Sequence, residues 1–231
     1  MHFIDLATWP RRATFEHFAG FQQPWFNVCV RVDCAPLRAM VRERGWRLGV
    51  ALHWLTLALV HRHEAFRLRL HGHGPAVQVV RHDTVHASTT VLRPDDSFGI
   101  ALLRYAPSWS QFALAAAEAM DAAAQPSPQE RTLERAEGSA LIYCTTLPWL
   151  HFTSFAHAHS LDTTRADASV PRFAFGRIDA EGTGPGARAW LPLSVELHHA
   201  VADGVHLGRF VSDFEAALAR PELLFDLPGT G

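Results

Sequence analysis

The run Leu191-Pro-Leu-Ser-Val-Glu-Leu-His198-His199-Ala-Val-Ala-Asp203-Gly204-Val-His206-Leu-Gly-Arg-Phe210 constrains the fold more than any other stretch of this chain. Leu191, Leu193, Val195 and Leu197 recur with period two, the mark of a half-buried strand, and that strand ends on paired histidines. From Gly204 the period changes. Val205, Leu207, Phe210, Val211, Phe214 and Leu218 form a helical stripe, which places Asp203 at the N-cap. A histidine at a strand end and an aspartate at a helix start are thereby held close together. Imidazole titrates near neutrality and can take a proton from a hydroxyl at working pH. Asp203 either orients that ring or fixes the loop by pairing elsewhere, and spacing alone leaves both open. The rival is a metal site of His198, His199 and His206. Neighbouring strand residues point to opposite faces, so His198 and His199 do not easily share one ion, and no metal is expected.

Bulk properties narrow the class. With 231 residues, 48% of them hydrophobic, the chain suits one domain over 1–231 with a large core and is short for two. A formal net charge of -2 with scattered Lys and Arg carries no footprint for nucleic acid or an anionic membrane. Three cysteines without ligand spacing fit a reducing, cytoplasmic setting. No basic-then-apolar leader is visible, and the greasy stretch Leu48 to Val60 is short for a bilayer. Gln125–Pro128 and Pro228–Gly231 read as disordered.

The rest of the chain alternates between the two periods. Helices are expected over Arg11–Gln22, Pro36–Arg44, Trp46–His63 and Ser108–Ala124, the last capped by Ser108 or Ser110. Strands are expected over Phe26–Asp33, Phe66–Leu70, Val77–Val80, Thr89–Leu92, Phe98–Tyr105 and the apolar Leu141–Cys144, with a second at Phe152–Phe155. Gly182–Gly186 reads as a hairpin tip, not a phosphate loop, because no Lys-Ser/Thr follows it. Short turns between strands favour antiparallel pairing. The fold class is therefore α/β (α+β): a two-layer sandwich with a large, mostly antiparallel mixed sheet and helices mainly on one face.

The run His198-His199-Ala-Val-Ala-Asp203-Gly204-Val-His206 resembles the signature of CoA-dependent acyltransferases, and its surroundings resemble the chloramphenicol acetyltransferase family. The opening Trp9-Pro-Arg11-Arg12-Ala-Thr-Phe15, Phe26 to Asp33, His63-Glu-Ala-Phe66-Arg67, Leu147-Pro148-Trp149 through Ser154-Phe155, and Pro192-Leu-Ser-Val fall in family order, over about residues 4 to 218. The resemblance implies an O-acetyltransferase that moves acetyl from acetyl-CoA to a hydroxyl of chloramphenicol in a ternary complex, conferring antibiotic resistance. It implies His199 as general base, Ser154 as the donor to the oxyanion, and an Arg11–Asp203 ion pair that fixes the histidine loop. It implies a homotrimer with each site at a subunit boundary. Phe18, Gln22, Pro24, Trp25 and Ala174 would line the acceptor site and Arg177 would meet the cosubstrate.

Several residues depart from the pattern. Ala174 stands where relatives often carry threonine, Arg177 where lysine is usual, and His157 and His159 where small polar and apolar residues are favoured. Two other readings accompany the first: an acetyltransferase of the same fold with a different hydroxylated acceptor, and a catalytically silent binding homologue. Condensation and dihydrolipoyl enzymes share the histidine motif but need a second half or a lipoyl domain.

Overall fold

The computed structural model describes residues 1–72, 74–126, 137–159, 167–184 and 186–226. In chain order the elements are β1 (His2–Phe3), α1 (Arg12–Phe18), β2 (Trp25–Asp33), α2 (Ala35–Glu43), α3 (Leu48–Arg62), β3 (Leu68–His71), β4 (Gln78–Arg81), β5 (His86–Leu92), β6 (Phe98–Leu103) and α4 (Trp109–Ala123). They continue with β7 (Leu141–Thr146), β8 (Arg172–Phe175), β9 (Asp179–Glu181), β10 (Arg188–His198), α5 (Gly204–Ala219) and α6 (Glu222–Phe225).

A seven-stranded sheet runs in the order β2-β10-β8-β7-β5-β6, with β9 also pairing β10. β10 is antiparallel to β2, β8 and β9, and β5 to β6, whereas β7 is parallel to both β5 and β8. The sheet is therefore mixed and mostly antiparallel, as the turn lengths predict. Strand alternation sorts its two faces. Val32, Phe173, Phe175, Leu191, Leu193, Val195 and Leu197 point into one core with Leu55, Leu59, Phe210 and Phe214 of the helices. Each such side chain contributes about 1.5–3 kcal/mol by leaving water. The unbroken burial of Val50–Val60 explains why α3 is apolar on every side. Its polar members are satisfied internally: the His53 ring nitrogens lie 2.6 Å from Gly49 O and 2.9 Å from Thr89 Oγ1, and Thr56 Oγ1 donates to Leu52 O at 2.8 Å.

The structure corrects four expectations. First, the strands near Phe66–Leu70 and Val77–Val80 leave the large sheet and form a separate antiparallel one, β1-β4-β3. Phe66 itself lies in a 3₁₀ turn, Glu64–Arg67. Arg69 joins the two sheets: fully buried, it donates to the carbonyls of Phe66, Leu68, Ser139 and Leu141. Second, the first helix ends at Phe18, just before Gly20, so Phe21 and Gln22 lie beyond it and exposed. Third, Phe152–Phe155 is irregular: β7 stops at Thr146, and Leu147 N–H takes the last carbonyl of β8, Phe175, at 2.8 Å. Fourth, the last strand before α4 ends at Leu103, two residues short of Tyr105. Ser108 caps α4, its Oγ accepting from Gln111 N–H. β9 and β10 form the expected hairpin, with Gly182 and Gly184 both at φ 77° in its tip, where a side chain would be strained. Residues 127, 128 and 228–231 of the segments expected to be disordered lie outside the described residues.

Candidate active site

β10 delivers its two terminal histidines into different environments. His198, the last strand residue, is 4% exposed, and its Nδ1 accepts from Ala200 N–H at 3.2 Å. Burial, with the neighbouring charges of His159 and His199, pushes its pKa down to about 4. A buried, neutral ring with a backbone hydrogen bond is a structural part of the turn. His199 begins the turn itself. Its N–H donates to Pro24 O at 2.7 Å, its ring stacks on Phe18 at 4.0 Å, and Phe26 lies tilted against it at 4.8 Å. Its Nδ1 is buried without a hydrogen-bond partner. Half-exposed and clamped between aromatic faces, this imidazole has the setting of a proton acceptor.

Asp203 fixes the far end of the same turn. Its carboxylate caps α5, accepting from Val205 N–H at 3.1 Å, and accepts from Arg11 Nη1. Nδ1 of His206 lies 2.8 Å from Asp203 Oδ1 and 3.2 Å from Asp203 N; the protonation state of that ring decides which bond forms. Partial burial works to raise the Asp203 pKa, but the hydrogen bond and charge of Arg11, with His206, outweigh it and bring the carboxyl down to about 2. Among the described residues no hydrogen bond joins Asp203 to His199; Asp203 instead holds the turn in place between the helix start and Arg11. Arg11 Nε and Nη2 are buried without partners, so removing the carboxylate would leave a poorly solvated guanidinium.

Ser154 lies elsewhere. The segment 147–159 leaves the end of β7 and crosses the sheet face opposite the helices. It is tied at one end by Arg177 N–H donating to Leu150 O at 2.8 Å, and at the other by His159 stacked on Trp25 at 4.1 Å. Gly176 permits that passage: a Cβ there would meet Pro192 at 2.9 Å and Leu150 O at 3.0 Å. Ser154 is exposed midway along this segment, and Trp149 and Leu150 earlier in it are about half exposed. His199 rests against Phe26, whose side chain packs on the helix-side core. No hydrogen bond or ring contact joins Ser154 to His199 among the described residues.

Of the residues expected around the acceptor, Phe18 and Pro24 touch His199 directly. Trp25 faces the other way, stacked on His159 with Nε1–H donating to Ala168 O at 2.8 Å. Gln22 lines a cavity of about 790 Å³ with Phe15, Phe21, Leu70 and His198. Ala174 is fully buried in β8 between Ser194 and Thr145. Arg177 sits at the opposite end of the sheet, where Nε donates to His151 at 2.6 Å.

Sequence reasoning missed a charged group on the face opposite the helices. Glu196, 4% exposed, accepts from His159 Nε2 at 2.6 Å and lies 3.7 Å from His157 Nδ1, while Arg172 stands opposite it in the β8–β10 register. Burial works to raise the Glu196 pKa, but the His159 hydrogen bond and nearby positive charge hold it below the usual range. The available signal was a lone glutamate inside the apolar run Leu191–Leu197. Among the described residues no cluster of three His, Cys, Asp or Glu is arranged to hold a metal, and no helix is long and apolar enough to cross a membrane.

Comparison with known proteins places this geometry in context. A family model described as chloramphenicol acetyltransferase matches residues 1–215. A chloramphenicol acetyltransferase of Streptomyces acrimycini is 33% identical, covering 96% of each chain, and chloramphenicol acetyltransferase 2 of Escherichia coli is 29% identical, covering 92% of this chain and 94% of that one. A solved chloramphenicol acetyltransferase superposes with a TM-score of 0.80 at 23% identity over 94% of this chain and 99% of that one. The dihydrolipoamide acetyltransferase of Azotobacter vinelandii shares the fold, with a TM-score of 0.61 at 18% identity over 92% of this chain and 88% of that one.

Proposed function

The chain belongs to the chloramphenicol acetyltransferase family and is an acyltransferase, and from that premise we propose that it transfers acetyl from acetyl-CoA to a hydroxyl of chloramphenicol. One observation carries the reading: His199 is set on a turn clamped by Pro24 O, Phe18 and the Arg11–Asp203 pair. With Nδ1 enclosed, His199 takes the acceptor's hydroxyl proton at Nε2 as the oxygen attacks the thioester carbonyl. Ser154 donates to the oxyanion that forms. The C–S bond then breaks, and the proton held by His199 goes to the departing CoA sulfur. Arg11 and Asp203 touch neither reactant; they hold the turn. Arg177 offers positive charge to the cosubstrate at the far end of the sheet, and no step requires a metal.

No hydrogen bond joins Ser154 to His199 within one chain among the described residues, and Trp149 and Leu150, four to five residues before Ser154, are exposed. Both facts support a site completed by a second copy, with His199 of one subunit facing Ser154 of the next in a homotrimer. The role is antibiotic resistance in the cytoplasm. The test follows CoA thiol release from acetyl-CoA with and without chloramphenicol. Chloramphenicol-dependent release in the native protein, falling about 10²–10⁴-fold in His199→Ala at unchanged melting temperature, is expected. Release no faster than the acceptor-free control would refute the assignment.

A further inference from the structure

Directly beyond Ser154, a cavity of about 430 Å³ opens on the sheet face opposite the helices, within the range of small-molecule sites. Ser88 and Thr90 of β5, Tyr143 and Thr145 of β7, and Arg172 of β8 line it, and the segment Phe155–Ala158 forms its wall. Its polar floor is internally paired: Thr90 Oγ1 lies 2.8 Å from Thr145 Oγ1, and Arg172 Nη1 donates to Ala158 O at 2.5 Å. Glu196 is engaged by His159. His157 differs. Its side chain is 16% exposed, both ring nitrogens are buried, and among the described residues neither has a hydrogen-bond partner. Phe155 packs edge-on against the ring at 4.8 Å and holds it in the cavity wall.

Burial pushes His157 down to about 4, so the ring is neutral at working pH and carries one N–H and one lone pair. The Glu196 carboxylate 3.7 Å from Nδ1 is too far for a hydrogen bond, but it favours the tautomer with hydrogen on that nitrogen. Nε2 is then a buried lone pair, which costs free energy until a donor reaches it.

We propose that His157 is a specificity-determining residue of the acceptor site, its Nε2 accepting a hydrogen bond from a second O–H or N–H of the acceptor. The substrate class is thereby narrowed to polyfunctional alcohols, in which one hydroxyl reacts and a second hydroxyl or an amide N–H binds here. The inference rests on the reading that Ser154 marks the reacting end, since the cavity begins one residue past it.

The test is a cycle of kcat/KM values for native protein, His157→Leu and His157→Gln, with three acceptors: chloramphenicol, its analogue lacking the benzylic hydroxyl, and its N-methylated amide. In the native protein, removal of the recognised donor is expected to raise KM and lower kcat/KM roughly tenfold. In His157→Leu that loss should shrink to within about twofold, and His157→Gln, which keeps an acceptor atom, should restore part of it. Melting curves confirm that both variants are folded, and thermal stabilisation by chloramphenicol gives a second readout of the same coupling. If native and His157→Leu proteins discriminate equally against both analogues, the proposal is overturned while the acetyltransferase reading stands. If the native protein acetylates none of the three, both fall.

Discussion

The two faces of the large sheet are built from neighbouring residues of the same strands, yet they differ in kind. On β8, Phe173 and Phe175 enter the helix-side core while Arg172 lines the opposite cavity. On β10, Val195 and Leu197 are core residues while Glu196 and His198 face the other side. The helix side is largely apolar, and its stability comes from area removed from water. The other side contains imidazoles, a carboxylate and a guanidinium, most of them held by hydrogen bonds. A strand with period two can thus carry the core on odd positions and the site on even ones.

The sharpest way to break that contrast is a pair of neighbouring substitutions. Phe173→Ala should cost about 3–5 kcal/mol in urea unfolding through the cavity it leaves, with activity per folded molecule retained. A cost below about 1 kcal/mol would show that the helix-side core does not govern stability. Next, Arg11→Ala strands the Asp203 carboxylate and should cost about 2–3 kcal/mol, and kcat should fall with it as the histidine turn loosens. The conservative Asp203→Asn, which keeps the cap, should lose less stability than Arg11→Ala.

Acid provides a graded test. His61, His82, His157 and His198 are each held near pKa 4 by burial, against an ordinary 6.5. Because folding depresses these values, their stabilising share is whole above pH 6.5 and is lost as pH falls towards 4, where only the unfolded chain takes the protons. Melting temperature should therefore fall between pH 7 and pH 4.5, and His198→Asn should flatten part of that slope. Asp203 adds a separate loss only below its ordinary 3.8, down to about 2. The smallest effect is expected for Thr90→Val, which deletes one hydroxyl of the Thr90–Thr145 pair on the polar face. Unfolding free energy should change by no more than about 1 kcal/mol.

These contrasts mark how far a linear reading reaches. The alternation Leu191–Leu197 and the stripe Val205–Leu218 are local periodicities, so β10, its turn and α5 are visible without coordinates. The separate three-stranded sheet was not visible, because β3 looks like any short strand and its placement depends on Arg69 finding the carbonyls of Ser139 and Leu141. Phe152–Phe155 read as a strand from composition, whereas strand formation requires a hydrogen-bonding neighbour that β8, ending at Phe175, does not supply. The Glu196–His159 contact joins residues far apart in the chain, and no spacing rule predicts it.

By itself, then, the sequence determined the mixed, mostly antiparallel sheet with helices on one face, the strand–turn–helix unit around His199, and the family to which the chain belongs. Periodicity and motif order are properties of neighbouring residues, and burial follows from them. Tertiary structure alone decided that His198 is sealed while His199 is held open, that Ser154 lies exposed on a crossing segment, and that His157 lines a cavity with both nitrogens unpaired among the described residues. Those outcomes turn on which distant side chain or carbonyl arrives within about 3 Å of a polar atom, and only the packed chain brings such groups together.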